Sequence, residues 1–287
     1  MRLSELLNES VYKKWVSNKL GNKQAFKQLN KNCLQYLNNI QHGFILYRGD
    51  PKQRGDISYI NTTNSLRTSK DYHNGYQLMM DASRSLKDVP SRSTSIICST
   101  EEREASRYDS NLSVIVPFDG TVIACSGEDD FTDTIINHAL FRNVKLEHLG
   151  SKMLSVFYHT DDIDPNLVFG PEVRAKDINK LNTALSKVNL DSFCNAWADT
   201  FGITRVYARE FLPKIYEKDP SKFFTNICTE VMTKGTLDIK TVPVGQKFRT
   251  GECWFSGECI SIELGLFHEM MYDLRKAGFP VSKYVVI

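Results

Sequence analysis

Short apolar runs with strand character lie on both sides of a long block with helical periodicity, and this division constrains the fold most. The early runs include 43–50, 96–98, 112–117 and 121–125, and the late ones are 241–244 and 251–262. Between them, from about Ala175 to Gly235, the apolar residues recur at helical spacing. Leu181, Leu185, Val188, Phe193, Trp197 and Phe201 form one series, and Val206, Phe211, Leu212, Ile215 and Tyr216 the next. Phe223, Phe224, Ile227, Val231 and Met232 form a third, with no fixed repeat period. A sheet built from both sets of strands must carry the helical block as an insertion or subdomain, which makes the chain α+β.

The early half is punctuated most densely at Val89–Thr100, read as a polar turn followed by a buried strand (Ile96, Ile97, Cys98). Ser99 or Thr100 then stands at the N-cap of a helix over 101–108 with an acidic first turn. Upstream, Gly43–Gly49 reads as an apolar strand ending in Arg48-Gly49. An arginine at a strand mouth beside a flexible glycine is placed to hold phosphate or ribose. Phe118-Asp119-Gly120 between the runs 112–117 and 121–125 predicts a hairpin.

Helices are expected over 3–20, over 23–41 and around 71–82, and a short helix with Phe131, Ile135 and Ile136 capped by Glu128-Asp129-Asp130. Residues 153–159 read as a strand, with a turn over 161–165. Near the end, 251–262 is either a hairpin turning at Ser256-Gly257 or one long strand kinked at Gly257. A helix follows over 264–276, and 284–287 is read as an edge strand.

Composition narrows the setting. In 287 residues, 41% are hydrophobic, 24% charged and 11% aromatic, as in a globular protein, and the net charge of +2 supplies no overall field for nucleic acid. Seven cysteines in an odd set, without a Cys-x-x-Cys pair, favour a reducing cytoplasm and give no zinc site. No run is long enough to cross a bilayer, and the first residues lack the apolar core of a signal peptide. The acidic triplet 128–130 is read as helix-capping and not as a metal site; a metal-dependent hydrolase using it with His138 lacks ligand spacing.

A strand ending in Arg48, a strand opened by Ser93-Thr94-Ser95 and a late strand bearing Glu252 resemble, in that order, ADP-ribosyltransferases of the Arg-Ser-Glu type. The Tyr-Arg-Gly strand, the Pro-x-Arg-Ser-x-Ser turn and the late Glu-x-Trp strand also resemble uncharacterised phage-encoded proteins. The resemblance implies a split β-sheet core with an N-terminal helical segment (1–42), core strands in 43–174 and 241–287, and the helical insertion at 175–240. It implies NAD as substrate, cleavage of the nicotinamide–ribose bond, and transfer of ADP-ribose to a macromolecular acceptor, possible in the cytoplasm of a phage's host.

On the matching positions, Arg48 with Gly49, Arg67, Arg92 and Thr94 would bind the dinucleotide. Ser93 and Ser95 would support the ribose and orient the acid, and Glu252 would face the developing positive charge. Glu258 and Glu172 are rival candidates for that acid. Two residues before Glu252 stands Thr250, where arginine-modifying members carry Glu or Gln, so arginine modification is not implied. Another amino acid, a nucleic-acid group or plain NAD hydrolysis stays open. The competing class is a catalytically inactive transferase-like protein that binds a partner or belongs to a virion.

Overall fold

A computed structural model describes residues 16–49, 57–63, 75–160 and 175–276. They fall into two compact units, one within 12–67, 89–130 and 240–287, the other within 68–88 and 131–239. The chain is mixed α and β, and its paired strands run antiparallel.

The sheet unit begins with β1 (Val16–Leu20), where a helix through Leu20 was expected; residues 3–15 lie outside the described residues. The helix expected over 23–41 is two, α1 (Asn22–Asn32) and α2 (Leu34–Gln41), broken at Cys33. The break has an outside cause. The Asp119 carboxylate accepts from the backbone N–H groups of Leu34 (3.2 Å) and Gln35 (2.8 Å), satisfying donors that open a new helix.

The strands that follow are β2 (Tyr47–Gly49), β3 (Ile57–Asn61), β4 (Ile96–Ser99), β5 (Leu112–Pro117) and β6 (Val122–Cys125). Between β4 and β5 lies the short helix α4 (Glu102–Ser106), whose N-cap is Glu101 instead of Ser99 or Thr100; Ser99 Oγ accepts from the Glu101 N–H at 3.0 Å. An earlier helix, α3 (Gly75–Ala82), belongs to the second unit.

Strands β5 and β6 do not form the hairpin that Asp119-Gly120 predicts: β5 lies between β2 and a later strand, and β6 pairs elsewhere. The turn serves the α1–α2 junction instead, since the Asp119 N–H also donates to the Asn32 carbonyl.

In the helical unit, 131–133 is a single 3₁₀ turn, and Ile135 and Ile136 belong to β7 (Ile135–His138), paired with β8 (Phe141–Lys145), so the helix expected there is absent. The strand expected over 153–159 is the end of helix α5 (Leu146–Tyr158). Its buried residues Leu146, Leu149, Met153, Val156 and Phe157 keep a three-to-four spacing that the run 153–157 alone conceals. The helical block is α6 (Ala175–Leu185), α7 (Leu190–Phe201), α8 (Arg205–Lys218) and α9 (Phe223–Val231). Asn189 and Thr204 cap α7 and α8 through their side chains, and Gly202 ends α7 in the left-handed conformation. This unit is wider than 175–240, because α3, α5 and the β7–β8 hairpin pack into it. The Trp197 indole, which donates to the Leu140 carbonyl at 3.0 Å, ties that hairpin to α7.

The chain returns to the sheet unit with β9 (Lys240–Pro243), β10 (Glu252–Phe255), β11 (Glu258–Glu263) and α10 (Leu264–Lys276). The strand order is β1-β3-β11-β5-β2-β4-β10-β6-β9. Strands β10 and β11 are not partners, so Gly257 (φ +122°) is a kink that passes the chain from one part of the sheet to the other, not a hairpin turn. Among the described residues, β2 and β4 share a single register pair, Tyr47 with Ser99. The sheet thus consists of two ladders joined at one point. A core from both ladders packs with Leu29 and Tyr36 of α1 and α2 and with Phe267 and Met271 of α10. All seven cysteines are buried and free.

Candidate functional site

The site is assembled where the two ladders meet. Strands β2, β4 and β10 are consecutive neighbours, so Arg48, Ser99 and Glu252 are delivered by adjacent strands although some 200 positions separate the first from the last. Register places Tyr47, Ser99 and Glu252 in one cross-strand row, since Ser99 pairs with both. Arg48, the next residue along, is 8% exposed, and its Nη1 donates to the Ile97 carbonyl of β4 at 2.7 Å. The guanidinium therefore spans the two ladders just past their single backbone pair.

Glu252 is fixed from both sides by main chain. Its N–H donates to the Glu128 carbonyl (2.9 Å), and its own carbonyl accepts from the Ser126 N–H (2.9 Å). On the other side, Gly251 N–H donates to Thr100 Oγ1 at 2.7 Å. Gly251 has φ +120°, and a Cβ there would lie 2.7 Å from the Glu128 carbonyl oxygen. Only glycine lets the chain enter β10 at this angle. Gly49 is equally constrained, because a Cβ would meet the Ala105 carbonyl oxygen and the Asp109 nitrogen at 2.6 Å. Its role is close packing of β2 on the α4 segment, where flexibility beside a ligand was expected.

The turn 89–95 lies on β10. The Trp254 indole N–H donates to the Pro90 carbonyl at 2.9 Å, and the Arg92 guanidinium lies 5.6 Å from the centre of the Trp254 ring. Arg92 also donates through Nη1 to Glu252 Oε1, forming an ion pair in which the two residues are 4% and 3% exposed. The carboxylate and an arginine expected to bind ligand thus meet each other.

The other hydroxyls of the turn point elsewhere. Ser93 Oγ is hydrogen-bonded to Ser91 Oγ, while Thr94 Oγ1 and the fully buried Ser95 Oγ donate to the Ser91 carbonyl. These bonds brace the turn that carries Arg92 to Glu252. The hydroxyl in register with Glu252 is that of Ser99, a residue the sequence pattern marks only as a helix cap. The repeat of Ser-Thr at 99–100, straight after the apolar run, was the signal available.

Of the rival acids, Glu258 opens β11, in register with Asn61 and accepting from the Tyr59 hydroxyl, with β5 and β2 standing between its strand and β4. Arg67 and Glu172 lie outside the described residues. Tyr47 is held above the ordinary phenol range first by burial and then by Glu102 and Glu101, so it stays a neutral hydroxyl beside the row. Among the described residues, no three His, Cys, Asp or Glu side chains are grouped to hold a metal, and no helix is long and apolar enough to cross a membrane.

Three adjacent strands and the turn laid on β10 thus carry a carboxylate, a hydroxyl and two guanidinium groups, with Arg48, one residue off the Tyr47–Ser99–Glu252 row, alternating to the other face of the sheet. A carboxylate so placed can stabilise positive charge brought beside it. Comparison of the chain with protein-family models, with curated proteins and with solved structures returns no match.

Proposed function

We propose that the sheet unit is an ADP-ribosyltransferase that consumes NAD and transfers ADP-ribose to a macromolecular acceptor. The observation that carries this reading is the adjacency of β2, β4 and β10, which supplies Arg, Ser and Glu in the order of the Arg-Ser-Glu family. In the reaction, the bond from ribose C1′ to the nicotinamide nitrogen breaks and its electron pair leaves with nicotinamide. The C1′ cation is then taken by an acceptor nucleophile, which loses a proton. Glu252 would face that cation and Ser99 would orient the carboxylate, while Arg48 would hold together the two strands beneath them through its bond to the Ile97 carbonyl. Arg92 must share or release the carboxylate for Glu252 to engage the ribose.

That last requirement favours a second reading: a catalytically inactive transferase-like protein that binds a partner or serves in a virion. In it, the buried Arg92–Glu252 pair is a permanent structural bond.

Chromatographic detection of nicotinamide, released from NAD with and without cell lysate, separates the two. The enzyme reading expects release by the wild-type protein and a fall of about 100-fold or more in folded Glu252→Gln, the scale of losing a main transition-state contact. If neither the wild-type protein nor folded Arg92→Met releases nicotinamide above background, the second reading stands.

A further inference from the structure

Outside the site, one stretch of chain has a charge pattern unlike the rest. From Ser10 to Gly49 there is no Asp or Glu, while seven Lys or Arg occur, although the whole chain is nearly balanced at 36 basic and 34 acidic residues. Within this tract α1 carries Lys23, Lys27 and Lys31. All three are exposed, and at i, i+4 and i+8 they form one row about 12 Å long. Ala25 and Leu29, on the opposite side, are buried in the core.

Helix stability does not account for this row. Lysines four apart repel one another, and Lys23 lies in the first turn, at the positive end of the helix dipole, with no acid beside it. Several lysines elsewhere have acidic partners, Lys145 with Asp133, Lys214 with Glu210, Lys222 with Asp219 and Lys234 with Asp88, while Lys152 donates to the Thr200 carbonyl and Lys247 lies over the Phe44 ring. Among the described residues, none of the three α1 lysines has one. Asp119, bonded at the junction of α1 and α2, is committed to the N–H groups that open α2. Exposed amides flank the row, Asn30 on one side and Gln24 on the other, and such groups add hydrogen bonds to phosphate oxygens.

We infer that the α1 face is a docking surface for a nucleic acid, bound through its phosphates without regard to base sequence. A regularly repeated anionic backbone matches a regularly repeated cationic row. A lipid surface fits less well, because the apolar side of α1 is already buried in the core and is not offered to a bilayer. The inference does not depend on the transferase reading, since it concerns binding and involves no NAD.

The test is fluorescence anisotropy of a short, mixed-sequence, labelled single-stranded RNA titrated with the full chain at several salt concentrations. The wild-type protein is expected to bind with an affinity that falls steeply with salt. Lys23→Gln/Lys27→Gln/Lys31→Gln should bind at least tenfold more weakly, and its slope of log affinity against log salt should be shallower by about 2, the loss of three phosphate contacts on a single strand. The three side chains are exposed, so an unchanged melting temperature checks the fold. The inference is overturned if the triple variant binds as the wild type does. It also fails if polyglutamate displaces the RNA as well as unlabelled RNA does, or if vesicles rich in phosphatidylserine bind the protein while the RNA does not.

Discussion

Arg92 and Glu252 are both charged and both almost wholly removed from water, so the energetics of each depends on the other. Burying two ions costs several kcal/mol apiece, and the pair offsets this only while both members are present. Removing one takes this ionic partner from the other while it stays buried. We therefore expect Arg92→Met and Glu252→Gln each to lose about 3–5 kcal/mol in urea unfolding, and the double variant to lose clearly less than their sum. Additive losses, or single losses below about 1 kcal/mol, would mean that the pair is solvated and that the turn 89–95 does not rest on β10 as described. The double variant also bears on function: it removes both charges without restoring a carboxylate, so it should be inactive on NAD.

At the scale of elements, Asp119 shows how one side chain reassigns a turn. The Asp-Gly pattern is a strong hairpin signal, yet its carboxylate is taken by two N–H groups of α2, and the strands on either side go to different ladders. Asp119→Ala should cost about 1 kcal/mol, the usual scale of a lost cap, and amide exchange in the first turn of α2 should quicken. Asp119→Asn, which retains one good acceptor, should recover part of the loss; equal behaviour of all three proteins would dismiss the capping role. Element types were legible where local pattern decides them, as in β4, β5, β10 and the helices of 175–235. What could not be read locally was partnership. Ser99 faces Glu252 only because β4 pairs with β10 across about 150 residues of sequence, and no periodicity encodes that register. In the Ser-rich turn at 91–95 the hydroxyls are dense, and Ser93, Thr94 and Ser95 each make a short-range hydrogen bond to Ser91. In α5 the apolar run 153–157 is compact enough to look extended until the preceding turn is counted.

Across the whole molecule, both units share one chemical feature, thiols sealed in apolar surroundings. Burial pushes the Cys33 and Cys98 thiols up to about 12 and that of Cys194 to about 11. It raises Cys228 and Cys259 well above the ordinary range, and Cys253 rises through its hydrogen bond to Cys125 as well as burial. In the unfolded chain these groups would ionise near 9, so above that pH the folded state binds more protons than the unfolded one. Stability is then intact below about pH 9 and falls as the pH climbs toward the folded values. Each of these thiols pulls in the same direction, so stability followed by circular dichroism is expected to fall as the pH rises above 9. Substituting Cys228→Ala in the helical unit or Cys259→Ala in the sheet unit should lessen that fall where the cavity is tolerated, because one fewer thiol pulls on the unfolded side. A thiol reagent at pH 8 should find the native protein unreactive and the guanidinium-unfolded chain fully reactive. Ready labelling of the native protein, or an unfolding curve flat from pH 9 to 11, would show that these thiols are open to water.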